Sequence, residues 1–148
     1  MLCCDEIETP IGTAVIVLRG DKVCALDFTP RPHLPRERTA ASEKVRAYFE
    51  GDLHALDGLE LDPGGTPFQR SVWALLKEIP AGETRSYADL ARKLGSSPRA
   101  VGSANGANPI SLAIPCHRVI AKDGALCGYA HGLERKRWLL DHERRRLG

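Results

Sequence analysis

The 148-residue chain has no CxxC pair and no uninterrupted apolar stretch longer than the five residues Ala14–Leu18. The first absence removes any zinc ribbon legible from spacing. The second removes a membrane-spanning helix, which needs about 20 apolar residues. Nothing at the N-terminus reads as a basic region followed by an apolar core and a cleavage site, so no secretory leader is expected. Cysteines occur at positions 3, 4, 24, 116 and 127, an odd number without regular spacing, which argues against a secreted disulfide framework. An intracellular chain with free thiols is expected, and the question becomes which thiol is reactive. With 43% hydrophobic and 27% charged residues, the chain has the composition of an ordinary globular protein. Its length suits one domain or two small lobes sharing a core.

The net charge of +2 says little, but its distribution is uneven. Residues 1–63 hold seven Lys/Arg against twelve Asp/Glu, a net of −5, whereas residues 64–148 hold fourteen against seven, a net of +7. Without Arg144, Arg145 and Arg146 the second half is still +4. Such asymmetry predicts that the C-terminal half meets a polyanion.

In the first half, Ala14–Leu18 and Val23–Phe28 read as strands joined by a turn at Gly20-Asp21. Thr29–Arg38 reads as loop, Ser42–Phe49 as a short helix stopped by Gly51, and Leu53–Leu61 as a further strand. Asp62-Pro63-Gly64-Gly65 is the best candidate boundary, giving domains 1–63 and 64–148. Beyond it, Thr66-Pro67-Phe68-Gln69 carries a capping threonine, proline at the first helical position and Gln three residues after the cap. Phe68, Val72, Leu75, Leu76 and Ile79 fall on one helical face, and Pro80-Ala81-Gly82 ends it. Ser86 and Asp89 cap a second helix that stops at Gly95. A third opens at Ser97-Pro98 and cannot pass Asn108-Pro109. Two short helices around a tight turn fit a helix-turn-helix, although most such pairs are only packing units. Ala100–Ala107 is built almost wholly of tiny residues. Two glycines there cost the helix roughly 1 kcal/mol each, and either core packing or close approach to another surface would offset this. Arg99 at the start of that helix favours the second.

Ile110–Ile114 is strand-like and leads into Pro115-Cys116-His117-Arg118-Val119-Ile120. Neighbouring His and Arg favour the thiolate, the nucleophilic form of cysteine. If the segment is extended, adjacent side chains face opposite ways, so His117 would reach Cys116 through a water. Glu143 is a candidate to orient the histidine. Taken alone, a Cys-His pair is more simply a buried cysteine beside a surface histidine.

The wider pattern reverses that reading. Asn108-Pro109, Ile114-Pro115-Cys116-His117-Arg118-Val119-Ile120, Gly128-Tyr129, Gly132-Leu133 and Trp138-Leu139-Leu140-Asp141-His142-Glu143 closely resemble the O6-alkylguanine-DNA alkyltransferase family. The resemblance runs from about Thr66 to Glu143; residues 1–63 match only around Thr9-Pro10-Ile11-Gly12.

The resemblance implies a mixed α/β (α+β) fold, with a small ribonuclease H-like sheet-and-helix lobe and a winged helix-turn-helix lobe. It implies a repair protein that flips O6-alkylguanine out of duplex DNA and transfers the alkyl group irreversibly to Cys116, once per molecule. His117 matches the residue that takes the cysteine proton through water, Glu143 the carboxylate that orients it, and Asn108 the hinge after the recognition helix. Tyr87 matches the phenol that bonds the flipped base. Arg99 matches the finger that fills the emptied stack, with Ala100, Gly102, Ser103 and Arg118 at the DNA. Asn105, Val119, Tyr129, Ala130 and His131 fall at the substrate pocket. The implied partner is double-stranded DNA bound through the minor groove, with no membrane and no cofactor. The protein is expected to be a monomer, cytoplasmic and nucleoid-associated, or nuclear in a eukaryote. His131 stands where many members have glycine and should favour methyl over benzyl-sized adducts, whereas Asn105 replaces an apolar contact seen in some members. Some members hold a structural zinc in the first lobe, where Cys3, Cys4 and Cys24 are candidate ligands here, but Arg19 replaces one expected cysteine, and no metal is assigned. Cys127 is expected to pack. Trp138, Leu139 and Leu140 are expected in the core, and Arg135, Lys136 and Arg137 in solvent or near phosphate. Three rivals remain: a lesion binder without transfer, which characteristically lacks the acceptor cysteine; a transcription regulator, which would need a further metal-binding and activator region; and a Cys-His hydrolase, supported only by the Cys-His pair.

Overall fold

The computed structural model describes residues 1–126 and 128–147. The chain forms two compact units, one of Met1–Gly64 with Pro109–Ala113 and the other of Gly65–Asn108 with Ile114–Gly148. The fold is mixed α/β, as the sequence predicts. Among the described residues, no helix is long and apolar enough to cross a membrane.

In the first unit, β1 (Leu2–Thr9), β2 (Gly12–Arg19) and β3 (Lys22–Asp27) form an antiparallel sheet in sequence order. Gly20, at a φ of 62°, makes the β2–β3 turn. The strand β1 was not legible in the sequence. Its alternation is interrupted by Asp5, a charged residue on the buried face. The apolar run Ala14–Leu18 on β2 is buried throughout because both faces of the central strand are covered. On one side Cys4, Val15 and Val17 pack with Leu34, while α1 (Ala40–Glu50) packs on β1 and buries Val45, Tyr48 and Phe49. This helix starts two residues before the expected Ser42, because Thr39 and Ser42 form a capping box; Gly51, at a φ of 119°, ends it.

Two extended stretches expected from the sequence are not strands. Within 53–61, i→i+3 hydrogen bonds such as Ala55 N–H to Asp52 O (3.1 Å) and Asp57 N–H to His54 O (3.1 Å) make turns, and only Leu61 bridges β3. Ile110 likewise makes one bridge, to Leu26. At Leu112 φ is +72°, and Ala113 N–H bonds Ser111 O at 2.9 Å, the i→i+2 pattern of a γ-turn. Both bridges nevertheless cover the free edge of β3, as Arg36 does that of β1.

The second unit has α2 (Pro67–Lys77), β4 (Arg85–Ser86), α3 (Tyr87–Leu94), α4 (Pro98–Gly106), β5 (Val119–Ile120) and α5 (Leu133–Leu147). Its helix starts are those the sequence announces: Thr66 with Gln69 and Ser86 with Asp89 form capping boxes, and Ser97 caps α4. Gly95, at a φ of 62°, closes α3 and leaves a short turn into α4. The three helices α2, α3 and α4 pack on one another, and Trp73 Nε1 donates to Ala104 O at 2.8 Å in the interior. Strands β4 and β5 pair in parallel, placing Ser86 beside Ile120. That pairing fixes the start of α3 against the segment that follows Cys116.

Candidate active site

Pro115 has φ −79° and ψ 68°, and Cys116 N–H bonds Ile114 O at 2.8 Å, an inverse γ-turn. Proline is locked near this φ, so the residue before the thiol is fixed locally by the sequence. A 3₁₀ turn over Cys116–Arg118 follows, with Arg118 N–H on Pro115 O at 3.0 Å. The extended segment expected here is therefore a tight turn. Cys116, His117 and Arg118 are all buried.

His117 and Glu143 are both 0% exposed, with Nε2 and Oε2 2.9 Å apart. A carboxylate is an acceptor, so Nε2 carries the proton and Nδ1 holds the lone pair. Nδ1 is buried and has no hydrogen-bond partner among the described residues. Burial pushes the imidazole below its ordinary range; Glu143 opposes this, while the charges of Arg118 and Lys136 add to it. The ring is accordingly neutral near pH 7 and can accept a proton. Burial alone would raise the Glu143 carboxyl, but His117 and Arg118 outweigh it and hold the group well below the usual carboxylate range.

Arg118 grips Glu143 with both sides of its fork, Nε to Oε1 at 2.9 Å and a terminal nitrogen to Oε2 at 2.8 Å. Its remaining nitrogen donates to Ile79 O at 2.7 Å. The expectation that Arg118 meets DNA is corrected: the side chain is buried, and each of its three nitrogens donates in the interior, two of them to the carboxylate that orients His117.

Cys116 lines a cavity of about 120 Å³ with Tyr87, Gly102, Asn105, Gly106, Gly128, Tyr129 and Ala130. Of the residues expected around the base, Tyr87, Asn105, Tyr129 and Ala130 thus meet at one place. Tyr87 Oη lies 3.5 Å from Gly128 O. Asn105 donates through Nδ2 to Cys116 O at 3.4 Å, and its buried Oδ1 has no partner. Asn108 Nδ2 donates to Ile114 O at 2.8 Å, steadying the approach to Pro115. His131 does not line the cavity but stacks edge-on against Tyr129, which does, with ring centres 5.3 Å apart. Val119, also expected at the pocket, is buried and is not among the residues that line this cavity.

Helix α4 has two sides. Val101, Ala104 and Asn105 face inward, whereas Arg99 and Ser103 are exposed and Ala100 and Gly102 are half-buried. Core packing and an approachable outer surface therefore both account for its small residues. Gly106 and Gly128 are cavity residues the sequence did not suggest. Lys136, expected in solvent, is fully buried. Cys127 lies outside the described residues.

A family model described as "6-O-methylguanine DNA methyltransferase, DNA binding domain" matches residues 67–145. A methylated-DNA--protein-cysteine methyltransferase of Mycolicibacterium paratuberculosis is 52% identical over 150 residues, covering 94% of this chain and 90% of that protein. One from Salmonella typhimurium is 56% identical over 104 residues, which is 69% of this chain but only 61% of the relative. Among solved structures, the O6-methylguanine methyltransferase of Mycobacterium tuberculosis is similar with a TM-score of 0.85 and 40% identity, covering 99% of this chain and 94% of that one. The same organism's protein in complex with DNA matches with a TM-score of 0.86 and 41% identity, over 97% and 93% of the two chains. With its Pro-Cys-His-Arg turn backed by Glu143, and with similarity of this extent over nearly its whole length, the chain belongs to the 6-O-methylguanine DNA methyltransferase family.

Proposed function

We propose that this protein repairs DNA by moving the methyl group of O6-methylguanine onto Cys116, with residues 64–148 carrying the chemistry and the DNA contacts. The observation that carries this reading is a buried, neutral imidazole beside a cysteine that opens on a cavity, with Nε2 committed to Glu143 and Nδ1 left without a protein partner. The Cys116 proton passes through a water to Nδ1 of His117 as the sulfur attacks the methyl carbon. The C–S bond forms as the C–O6 bond breaks, and its electron pair leaves with the base, which is then protonated. Tyr87, at the cavity wall, donates a hydrogen bond to the base as charge develops there. A thioether has no easy route back to a thiol, so each molecule acts once.

The base must leave the duplex to enter such a cavity. Arg99, exposed at the start of α4, is placed to fill the gap from the minor groove, and the small outer residues Ala100, Gly102 and Ser103 let the helix lie close. The similarity to a relative solved with DNA and the basic second half support duplex DNA as partner. His131 bears on adduct size through its edge-on contact with Tyr129, a residue of the cavity wall, and this backing favours methyl over benzyl adducts.

Intact-protein mass after incubation with a duplex carrying one O6-methylguanine tests the reading. One methyl group per wild-type molecule, none on Cys116→Ser, and slower transfer from the O6-benzyl duplex are expected. Lesion-selective binding without mass gain would overturn transfer in favour of lesion recognition.

A further inference from the structure

On α5, Lys136, Leu139, Leu140 and Glu143 follow the i, i+3, i+4, i+7 spacing and are all buried. Three of these are expected inside, two as apolar core and one as the partner of His117. Lys136 is not. A lysine with no exposed surface loses its hydration, a cost that persists only where the surrounding polar groups replace it. Here Nζ donates to Val119 O at 2.5 Å and to Gly128 O at 3.2 Å.

Those two carbonyls come from two segments, one that follows the thiol turn and one that lines the cavity. Val119 follows directly on the turn that holds Cys116, His117 and Arg118. Gly128 lines the cavity together with Cys116, and its carbonyl also lies 3.5 Å from the Tyr87 hydroxyl. One ammonium therefore ties the segment that follows the thiol to a residue of the cavity lining. It also sets the carbonyl nearest the phenol that faces the base. Its charge reaches the reacting groups as well, because it adds to the lowering of His117.

We infer that Lys136 is a positioning residue for the transfer reaction, holding the Val119 and Gly128 carbonyls together and fixing a positive charge behind the site that carries Cys116 and His117. The inference rests on the alkyl-transfer reading. Negative charge exists on the sulfur before transfer and on the base after it. A preorganised cation in a dry site stabilises both without reorganising at the moment of reaction.

Lys136→Met keeps the length and apolar bulk of the side chain and removes the charge; Lys136→Arg keeps the charge. Two rates are measured against pH on each full-length variant. One is single-turnover methyl transfer at saturating lesion duplex. The other is DNA-free alkylation of Cys116 by iodoacetamide, followed by peptide mass. Around His117 stand Glu143, Arg118 and Lys136; removing Lys136 removes a cation that disfavours protonated His117. The acid limb of either profile then moves to higher pH, by roughly 0.5–1 unit. Transfer at neutral pH should fall roughly 10²-fold in Lys136→Met, with affinity for undamaged duplex unchanged. Lys136→Arg should keep the wild-type limb. A wild-type limb and a rate within about threefold of wild type in folded Lys136→Met would overturn the inference. If Lys136→Met does not fold, a shifted limb in folded Lys136→Arg overturns it instead. Should the wild type take no methyl group from DNA, the proposed function fails, while the iodoacetamide profiles still decide the role of Lys136.

Discussion

Each unit buries a carboxylate against two basic side chains, and the two arrangements are built differently. In the first, Asp5 sits 3.6 Å from Arg36 and from Arg46, its Oδ2 makes no hydrogen bond, and the Arg36 side chain is 62% exposed. In the second, Glu143 is held at 2.8–2.9 Å by a bidentate Arg118 and by His117, all enclosed. The loose pair tolerates water and movement, and its Coulomb energy is screened. The tight one fixes direction: every lone pair of Glu143 that matters is matched to a particular N–H, and this is what settles which nitrogen of His117 carries the proton. Geometry, more than charge count, separates a carboxylate that helps a surface fold from one that can set up chemistry.

The contrast can be broken at its strong end first. Glu143→Gln should slow transfer by roughly 10²–10⁴-fold, since an amide can present an N–H to Nε2 and favour the wrong tautomer. It should also cost about 3–5 kcal/mol by stranding Arg118. Urea denaturation and single-turnover kinetics separate the two. In the double variant Arg118→Met/Glu143→Gln, stability should recover in part while transfer does not. Recovery of both would show that Glu143 acts only through packing.

Next in size is the response to acid. His117 and Glu143 both bind protons less readily folded than in the unfolded chain, where they titrate near about 6.5 and 4.3. The unfolded state therefore takes up protons first. Stability is fully present above about pH 7, falls as pH drops below about 6.5 and falls again below about 4.3. Denaturation at pH 7, 6 and 5 should show the first step, and His117→Gln should abolish it. A flat wild-type profile across that range would contradict a neutral buried imidazole. The smallest effect belongs to the loose pair: Asp5→Asn should change stability by no more than about 1 kcal/mol and leave the transfer rate at the wild-type value.

Local signals were the legible ones. Thr66 with Gln69, Ser86 with Asp89, Ser97 and Gly95 mark helix ends because capping is a short-range hydrogen-bond problem that the sequence solves in place. The Gly20-Asp21 turn belongs to the same class. What misled were stretches whose apolar content is real but whose backbone is decided elsewhere. Leu53 and Leu56 are buried from turns, and Ile110 and Leu112 from a segment bent at Leu112. The residues of the site were legible mainly through family resemblance, with two instructive errors in the charged ones. The resemblance points Arg118 at the DNA, and residue type points Lys136 at solvent or phosphate. Yet Lys136 shares its helical stripe with Leu139, Leu140 and Glu143, a spacing that could have revealed it.

The short return of Pro109–Ala113 to the first unit has a consequence for how the protein can be cut. A fragment starting at Gly65 would retain α2 to α5, the cavity and the thiol, but it would also carry Ile110 and Leu112, at 0% and 4% exposure, without the sheet edge that covers Ile110. A two-part gene split at the obvious glycines would therefore yield a sticky second half. The two units cannot be expressed, exchanged or fused as independent modules unless that five-residue passage is redesigned or the first half is supplied alongside.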